Sequence, residues 1–396
     1  MKPTLLLDLD DTLLNTNQDI FVPAYLRALS TGFDSRLNPT AVAPALLSST
    51  ALMNQSEDFS RTLREVFEAA FSPQFGLTSQ EFNSHMEEFY SQVFPTLQGI
   101  TSPNPHTTPF IEWAFAQGFK VLIATDPLLP RAATWHRVRW AGLEPERFEL
   151  ISTFDDFHFS KTHIAYYAEV LGRVGWPEGP VLMVGNDMER DILPAKQLGL
   201  ATFFVDVEPG STSGPEAGPR GNLQDLRRYL ESTDFAMLTP SFKSKESIMA
   251  IYMSTPAVFD GWLRNLTPEQ WKQKPSASEW TLTELICHLR DTEREIHHMQ
   301  LRLFNGQDEP FIPRPDTGVW ANQRDYFHED GLTALREFNE ARRVNLEFLK
   351  TVPEDAWQRK ARHAIFGPTN FREIAGFMTD HDRMHIQQTY SLLKRL

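Results

Sequence analysis

The stretch TLLLDLDDTLLNT, residues 4–16, places three carboxylates directly after an apolar run. The run is typical of a strand that is buried on both faces of a parallel sheet. Like charges crowded at its end repel one another, and burial makes that repulsion more costly. Because residues two apart on an extended segment share a side, Asp8 and Asp10 converge while Asp11 points away. A divalent cation between Asp8 and Asp10 would relieve the repulsion, and Asp11 is expected to be solvated or to cap the next segment of the chain.

Composition and charge exclude several classes of function. The chain has 396 residues, 41% of them hydrophobic, which fits two or three globular domains. A formal net charge of -14 argues against nonspecific binding to nucleic acid and to anionic membranes. The single cysteine, Cys287, suits a reducing compartment, and no stretch of about 18 apolar residues occurs. We therefore expect a cytoplasmic protein without nucleic-acid or membrane partners, whose oligomeric state the sequence leaves open.

The first half of the chain alternates between apolar strands and helical patterns. Strands are predicted at TLLLDL, FKVLIATD, FELISTFDD, GPVLMVGND and LATFFVDV, and the third of these is the weakest. Between the first two strands, residues 17 to about 105 carry helical apolar spacing. Strands that alternate with helices indicate an α/β fold with a parallel sheet, and such sheets bind ligands at the carboxyl ends of their strands.

The second half of the chain lacks strand signals from about residue 245 onward. Before it, the Gly-, Pro- and Ser-rich segment 208–222 is predicted to be a loop, and LQDLRRYLES the last helix of the first domain. Helices are then predicted near 247–264, 281–304, 331–350 and 370–395, which indicates an all-α four-helix bundle. The expected domains are 1–235 and 246–396, joined by a linker at 236–245.

The other strand ends carry residues that match the paired acids. Thr125 ends the strand VLIATD and offers a hydroxyl that could hold a phosphoryl oxygen. Lys161 precedes a helix and offers a point positive charge. Asp187 follows the strand VLMVG, and Asp191 comes one helical turn later. All of these side chains are expected at one edge of the sheet.

Four motifs in order, DLDDT, LIAT, SK and GNDMERD, resemble those of the haloacid dehalogenase-like superfamily over residues 1 to 235. The resemblance implies a Rossmann-like domain, and the helical insert looks like that family's cap, at about 16–105. It further implies that Asp8 is the nucleophile and Asp10 the general acid and base. Thr125 and Lys161 would hold the transferring phosphoryl group and balance its charge.

The resemblance also implies a magnesium site. Mg²⁺ would be held by Asp8, Asp187 and the backbone carbonyl of Asp10, with Asp191 as a ligand or as a residue that orients the ligands. Family dehalogenases lack the second acid of the first motif, so Asp10 favours phosphate-ester hydrolysis of a small phosphorylated metabolite. A phosphosugar mutase would keep the same residues and stays open.

Several histidines are candidates for function. His158 and His163 flank Lys161, and a surface role is expected for both. In TDHDRMHIQQ, His381 and His385 lie four apart on a predicted helix and face the bundle interior. His288 follows a helix start with a capping box, Thr281 and Glu284. Two helices could thus aim three imidazoles at one point, or the histidines could be ordinary core residues with satisfied hydrogen bonds.

Residues 245 to 396 resemble the DinB-like superfamily of metal-binding four-helix bundles, through EWTLTELICHL and FGPTNFREIAGFMTDHDRMHIQQ. The resemblance implies that His288, His381 and His385 bind a divalent metal, either Zn²⁺ or Ni²⁺. Some relatives are thiol S-transferases, so one expectation is that the bundle is a second, metal-dependent enzyme of that kind. The alternative is a non-catalytic domain that senses a metal or a ligand. Cys287 is interpreted as an ordinary apolar residue, and His297 and His298 as residues on a solvated or packing face.

Overall fold

The chain divides into two compact units, in a computed structural model that describes residues 1–32, 39–206, 218–276, 279–305 and 308–396. One unit comprises Met1–Tyr167 and Glu178–Pro240, and the other comprises Ala168–Pro177 and Ser241–Leu396. The domain ends predicted from the sequence, at 235 and 246, stay predictions.

The first unit is built on a parallel sheet of five strands. These are β1 (Thr4–Leu7), β4 (Lys120–Ile123), β5 (Val181–Gly185), β6 (Ala201–Val205) and β7 (Arg220–Gly221), and their order in the sheet is β4-β1-β5-β6-β7. The interior strand β1 pairs with β4 and β5 along its whole length, and its four residues are buried. This arrangement confirms the α/β parallel sheet predicted from the alternating pattern.

Two strand predictions differ from the structure. FELISTFDD does not form a strand, and only Ile151 makes an isolated bridge, to Ile123 at the end of β4. The short β7 instead forms an edge of the sheet, within the segment that was predicted to be a loop. Residues 208–217 of that predicted loop lie outside the described residues. LQDLRRYLES forms the predicted helix.

The helical insert begins and ends beside one small antiparallel ladder, in which β2 (Leu14–Asn15) pairs with β3 (Ser102–Pro103). Between them lie α1 (Gln18–Gly32), α2 (Pro39–Asn54), α3 (Leu63–Phe71) and α4 (Ser79–Glu88). The starts of α3 and α4 are fixed by capping boxes, because Thr62 and Thr78 each exchange hydrogen bonds with a glutamate three residues later. The insert is the helical cap that the sequence predicts.

Within the described part of the chain, five further α-helices lie between the insert and residue 240. These are α5 (Thr107–Ala116), α6 (Arg131–Trp140), α7 (Ile164–Arg173), α8 (Leu193–Leu198) and α9 (Leu223–Ser232). Apolar side chains of α5, α6 and α9 belong to the same core cluster as β1 and β4. These helices therefore pack against the sheet through a shared apolar core.

The second unit contains the four long helical stretches that the sequence predicts. The first is α10 (Lys245–Leu263). The second runs from α12 (Leu282–Asp291) through a π-helical turn, Thr292–His297, into α13 (His298–Leu303), and the last two are α15 (Gly331–Thr351) and α16 (Phe371–Leu393). Short helices α11 (Pro268–Lys272) and α14 (Trp320–Gln323) lie between them. The predicted capping box of Thr281 and Glu284 is present. None of the described helices combines the length and apolar character needed to cross a membrane.

The expectation of no strand after residue 245 is wrong in one respect. A small sheet joins β8 (Phe311–Ile312), β9 (Lys360–His363) and β10 (Gly367–Asn370), with β9 in the middle. Gly367 has a φ of 73°, which lets the chain turn back from β9 into β10. Alternation in these strands is too short to be recognised in a sequence window.

Candidate active site and metal centre

The first motif lies where β1 ends, at the carboxyl edge of the parallel sheet. The last residue pair of β1 and β5 is Leu7 with Val184, and the backbone N–H of Asp8 donates to Val184 O at 2.9 Å. Asp8 is 6% exposed. The strand thus presents a nearly buried carboxylate at the position where parallel sheets bind ligands.

Lys161 joins two of the predicted acids. Its Nζ donates to Asp8 Oδ1 at 2.5 Å and to Asp191 Oδ1 at 2.6 Å. Burial opposes the charged ammonium, but the two carboxylates outweigh it and hold the pKa of Lys161 above its usual range. Burial also raises the pKa of Asp191 to about 7, although Lys161 works in the opposite direction. The lysine is therefore a fixed positive charge beside the predicted nucleophile.

Asp10 is held by two partners that fix its side chain. Thr16 Oγ1 donates to Asp10 Oδ1 at 2.6 Å, and Arg137 Nη2 forms an ion pair with Asp10 Oδ2. Arg137 is 4% exposed, and its burial lowers its pKa to about 10 even though Asp8 attracts the charged form. Asp11 points elsewhere and accepts from the N–H groups of Thr16 and Asn17, at 2.8 and 3.1 Å. It caps the next turn of the chain, one of the two roles expected for it.

Thr125 lies just beyond β4, and two side chains donate hydrogen bonds to its backbone carbonyl. Its carbonyl accepts from Ser152 Oγ at 2.6 Å and from Tyr166 Oη at 2.8 Å, and the residue is 1% exposed. Its neighbour Asp126 accepts from the N–H of Lys161 at 3.2 Å. The loop after β4 and the loop before α7 are thereby tied together.

Three residues of the fourth motif, Asn186, Asp187 and Asp191, make different hydrogen bonds. Asp187 Oδ1 accepts from the N–H groups of Glu189 and Arg190, at 2.8 and 3.1 Å, and so caps the π-helical turn Met188–Ile192. Asp191 Oδ2 accepts from the N–H of Asp187 at 3.0 Å, so both oxygens of Asp191 are engaged within the protein. Asn186 Oδ1 accepts from Thr12 Oγ1 at 3.2 Å.

A cavity of about 460 Å³ lies over these residues. Its floor includes all six predicted site residues, and its walls come from the helical cap and from the loops after β4. Arg137, Asn186, Asp126 and Arg190 also line it. Sequence reasoning missed these four residues, although Asn186 and Arg190 lie inside the GNDMERD motif and could have been singled out there.

The structure corrects the expectation for one histidine beside Lys161. His158 was expected at the surface, but it is fully buried. A histidine between phenylalanines, as in FHFS, is a core pattern, and Phe157 and Phe159 are buried with it. His163 Nε2 lies 3.0 Å from Asn54 O. It is partly buried and belongs to the packing between the cap and the loop before α7.

In the second unit, the three predicted histidines meet at one point. His288 comes from α12, and His381 and His385 come from successive turns of α16. The Nε2 atom of His381 lies 3.2 Å from that of His288 and 3.1 Å from that of His385. One ligand atom of each residue lies within 4.8 Å of the others, and within the described ranges no other group of three His, Cys, Asp or Glu residues is so close.

The electrostatics of this histidine trio favour neutral rings. Burial lowers the pKa of His288 to about 3, and it also lowers the pKa values of His381 and His385. Neutral imidazoles can each offer a lone pair, which is the form that metal ions bind. Three neutral imidazoles whose Nε2 atoms converge on one point fit a divalent cation. The trio thus has the donor chemistry of the metal centre that the sequence predicts.

A buried charged network lies beside the trio. Arg342 on α15 donates to Asp382 Oδ2 and Oδ1 at 2.7 and 3.0 Å, and to Glu293 Oε2 at 3.0 Å. Glu293 also accepts from Tyr252 Oη at 2.6 Å and lies 2.8 Å from His297 Nδ1. Sequence reasoning missed this network, because its members come from four helices. The spacing of Glu293 and His297, four apart, was the only available signal.

The remaining predicted residues of the bundle are accounted for. Cys287 is fully buried, as expected of a small apolar residue. His297 is 6% exposed, and its ring centroid lies 5.7 Å from that of His381. His298 Nδ1 lies 3.0 Å from Asn345 Oδ1. Both neighbouring histidines therefore lie on a packing face, one of the two alternatives that the sequence left open.

Comparisons with known proteins agree with this division. Residues 3–199 match the family model of haloacid dehalogenase-like hydrolases, and residues 252–389 match that of the DinB superfamily. A glyceraldehyde 3-phosphate phosphatase of Methanocaldococcus jannaschii is 24% identical over 57% of this chain and 97% of its own. The pyrophosphatase PpaX of Bacillus cereus is 25% identical over 51% of this chain and 82% of its own.

Among solved structures, YfiT from Bacillus subtilis, which has an unusual four-helix bundle topology, matches with a TM-score of 0.36 and 19% identity. The match covers 40% of this chain and 90% of YfiT. The two family matches confirm both resemblances that the sequence motifs suggest. Residues 3–199 are therefore a haloacid dehalogenase-like hydrolase domain, and residues 252–389 are a domain of the DinB superfamily.

Proposed function

We propose that the first unit is a phosphatase that hydrolyses a phosphate monoester of a small metabolite through an aspartyl phosphate on Asp8. The observation that carries this proposal is the placement of Asp8, Lys161 and Asp10 on the floor of one cavity. Relatives named as phosphatases for a triose phosphate and for pyrophosphate support phosphate as the group that is transferred.

In the proposed reaction, an oxygen of Asp8 forms a bond to phosphorus as the ester oxygen leaves. Asp10 gives its proton to the leaving alcohol, and it then takes a proton from the water that attacks the aspartyl phosphate and releases inorganic phosphate. Arg137 and Thr16 hold Asp10 in one orientation. Lys161 and Thr125 balance and position the phosphoryl oxygens, because this chemistry depends mainly on positioning and charge neutralisation.

The oxygen-rich floor of the cavity fits Mg²⁺, which takes carboxylate and carbonyl oxygens. We propose that Asp8, Asp187 and the carbonyl of Asp10 hold the ion, which when bound lessens repulsion between these acids and the substrate phosphate. Both oxygens of Asp191 are engaged, by Lys161 and by the N–H of Asp187. Of the two roles left open for Asp191, this favours orienting the ligands.

The test compares three neighbouring aspartates of one motif. Asp8→Asn should lower the rate of phosphate release roughly 10³-fold or more, and Asp10→Asn should lower it roughly 10²-fold or more. Asp11→Asn is the matched control and should keep wild-type activity, because an asparagine oxygen can still cap the turn at its φ of 53°. Full activity in Asp8→Asn would refute the proposal, and transfer of phosphate to a second sugar without its release would favour the mutase.

We further propose that the second unit binds Zn²⁺ or Ni²⁺ through His288, His381 and His385. Three ligands leave positions open for water or substrate, which favours a catalytic metal over a purely sensing role. Thiol S-transfer is the reaction that we propose for it. Metal analysis of protein purified without added metal should find one transition-metal ion per chain. His381→Ala should lose the ion and keep phosphatase activity. His328→Ala, which replaces a histidine with a 70% exposed side chain, should keep both.

A further inference from the structure

The cavity over Asp8 has an outer wall that is chiefly apolar. Phe21 of α1, Leu46 of α2, Phe67 of α3 and Met86 of α4 line it from the cap. Phe154, which follows β4 in the chain, also lines it and packs beside Phe67, with ring centroids 6.4 Å apart. Each of these side chains is less than 10% exposed. The phosphate end of a substrate would meet charged groups on the floor, whereas its alcohol would lie against hydrocarbon.

The tyrosines and arginines of the wall are already paired within the protein. The hydroxyls of Tyr25 and Tyr90 lie 2.7 Å apart, and burial raises the pKa of Tyr25 to about 12. Arg137 is paired with Asp10, and Arg190 with Asp126. A sugar whose hydroxyls enter this part of the cavity would lose water and find few new hydrogen-bond partners.

The size of the cavity also favours a substrate that is larger than a three-carbon sugar phosphate. At about 30 Å³ for each water molecule, a volume of about 460 Å³ holds roughly fifteen waters. The volume falls in the range of sites that enclose a whole small molecule. A three-carbon sugar phosphate, as named for one relative, would leave much of the apolar wall uncovered.

We propose that the preferred substrate is a phosphate monoester of a bulky apolar alcohol, either alkyl or aromatic. This inference rests on the phosphatase proposed above and names its substrate class. The reaction breaks the bond between phosphorus and the ester oxygen, the alcohol leaves with the proton of Asp10, and water completes the release of inorganic phosphate. The apolar wall binds the alcohol by removing it from water.

The experiment measures phosphate release from a series of n-alkyl phosphates, from ethyl to octyl, and from glucitol 6-phosphate. Burial of each added methylene should raise kcat/KM about fourfold until the cavity is filled. Hexyl phosphate should exceed glucitol 6-phosphate, which has the same chain length but carries hydroxyls, by at least tenfold. A flat series, or a preference for the polyol, would overturn the inference while leaving the phosphatase proposal intact.

Two exposed leucines of α2 provide a matched pair of variants. Leu47 is 56% exposed and lines the mouth of the cavity, whereas Leu52 is 55% exposed and does not line it. Leu47→Asn should lower kcat/KM for octyl phosphate about three- to tenfold and leave ethyl phosphate unchanged. Leu52→Asn should change neither value. Equal effects of the two variants would contradict the assignment of this wall to the substrate.

A binding measurement separates the two proposals when turnover is weak. Octylphosphonate, which cannot be hydrolysed at phosphorus, should bind the wild type more tightly than ethylphosphonate, with a negative heat-capacity change from apolar burial. Tight chain-length-dependent binding without hydrolysis of any ester would overturn the phosphatase. Binding that is independent of chain length would overturn the inference about the substrate class.

Discussion

Removal of one buried charge, in Arg342→Ala, should strongly destabilise the second unit. The Arg342 side chain is fully buried, as are the side chains of Glu293 and Asp382, with which it forms ion pairs at 3.0 and 2.7 Å. Its Nη1 also donates to Tyr252 O at 2.8 Å. The substitution leaves two buried carboxylates without their shared counter-charge.

The burial of the ion pairs of Arg342 sets the expected loss in the free energy of unfolding. Loss of one partner of a buried ion pair costs about 3–5 kcal/mol, and two stranded carboxylates place Arg342→Ala at the upper end of that range. A unit of this size loses about 2–4 °C in Tm for each kcal/mol. The transition of the second unit should therefore fall by roughly 10–20 °C.

The loss of stability in Arg342→Ala should also depend on pH. In the wild type, burial favours the neutral form of Glu293, but Arg342 and His297 outweigh it and hold the pKa of Glu293 below its usual range. Its stabilisation is thus present above the pKa of the unfolded chain and disappears in acid. Without Arg342, burial is less opposed and raises that pKa, so the variant should lose more stability at pH 8 than at pH 5.

Differential scanning calorimetry at both pH values provides the assay, with Arg343→Ala as the matched control. Arg343 is the next residue of α15, its side chain is 45% exposed, and it lies 3.9 Å from Glu340. The control should change the free energy of unfolding by no more than about 0.5 kcal/mol. A cost below about 1 kcal/mol for Arg342→Ala, or equal costs for the two variants, would refute the reasoning.

Two further predictions concern the fourth motif. Gly185→Ala should lower phosphate release at least tenfold while the protein stays folded, because its Cβ would lie 2.2 Å from Asp191 Oδ2 and displace that carboxylate. Gly99→Ala, where no atom lies within 4 Å of the added Cβ, should match the wild type in activity and Tm. Asp187→Asn should keep its Tm, since asparagine also caps a helical turn, but should need roughly tenfold more Mg²⁺ for half-maximal activity. An unchanged Mg²⁺ requirement would argue that Asp187 serves only as a cap.

The local sequence was sufficient to predict the candidate site residues that lie at the end of a strand or on successive helical turns. The run before Asp8 is apolar enough to form a buried strand, and a parallel sheet aligns the ends of all its strands. That rule brought Asp8, Thr125 and Asp187 to one edge although they lie far apart in the chain. The spacing of His381 and His385 likewise follows from the helical repeat alone.

Weak or very short sequence patterns did not predict the strands or the burial of side chains correctly. FELISTFDD has a strand-like composition, but only Ile151 forms a bridge to the sheet. The strands of the second unit are two to four residues long, which is shorter than the window in which alternation can be recognised. The burial of His158 was likewise missed, although the phenylalanines on either side of it were a weak signal of a core position.

The sequence by itself determined that there is an α/β hydrolase domain and a helical bundle, which acids end the strands, and which histidines share a helix face. Only the tertiary structure decided which charges are paired: Arg137 with Asp10, and Arg342 with Glu293 and Asp382. It also decided that the cap presents hydrocarbon to the cavity. The physical reason is that periodicity fixes the face on which a side chain lies, whereas its partner is chosen by packing between segments that no local pattern connects.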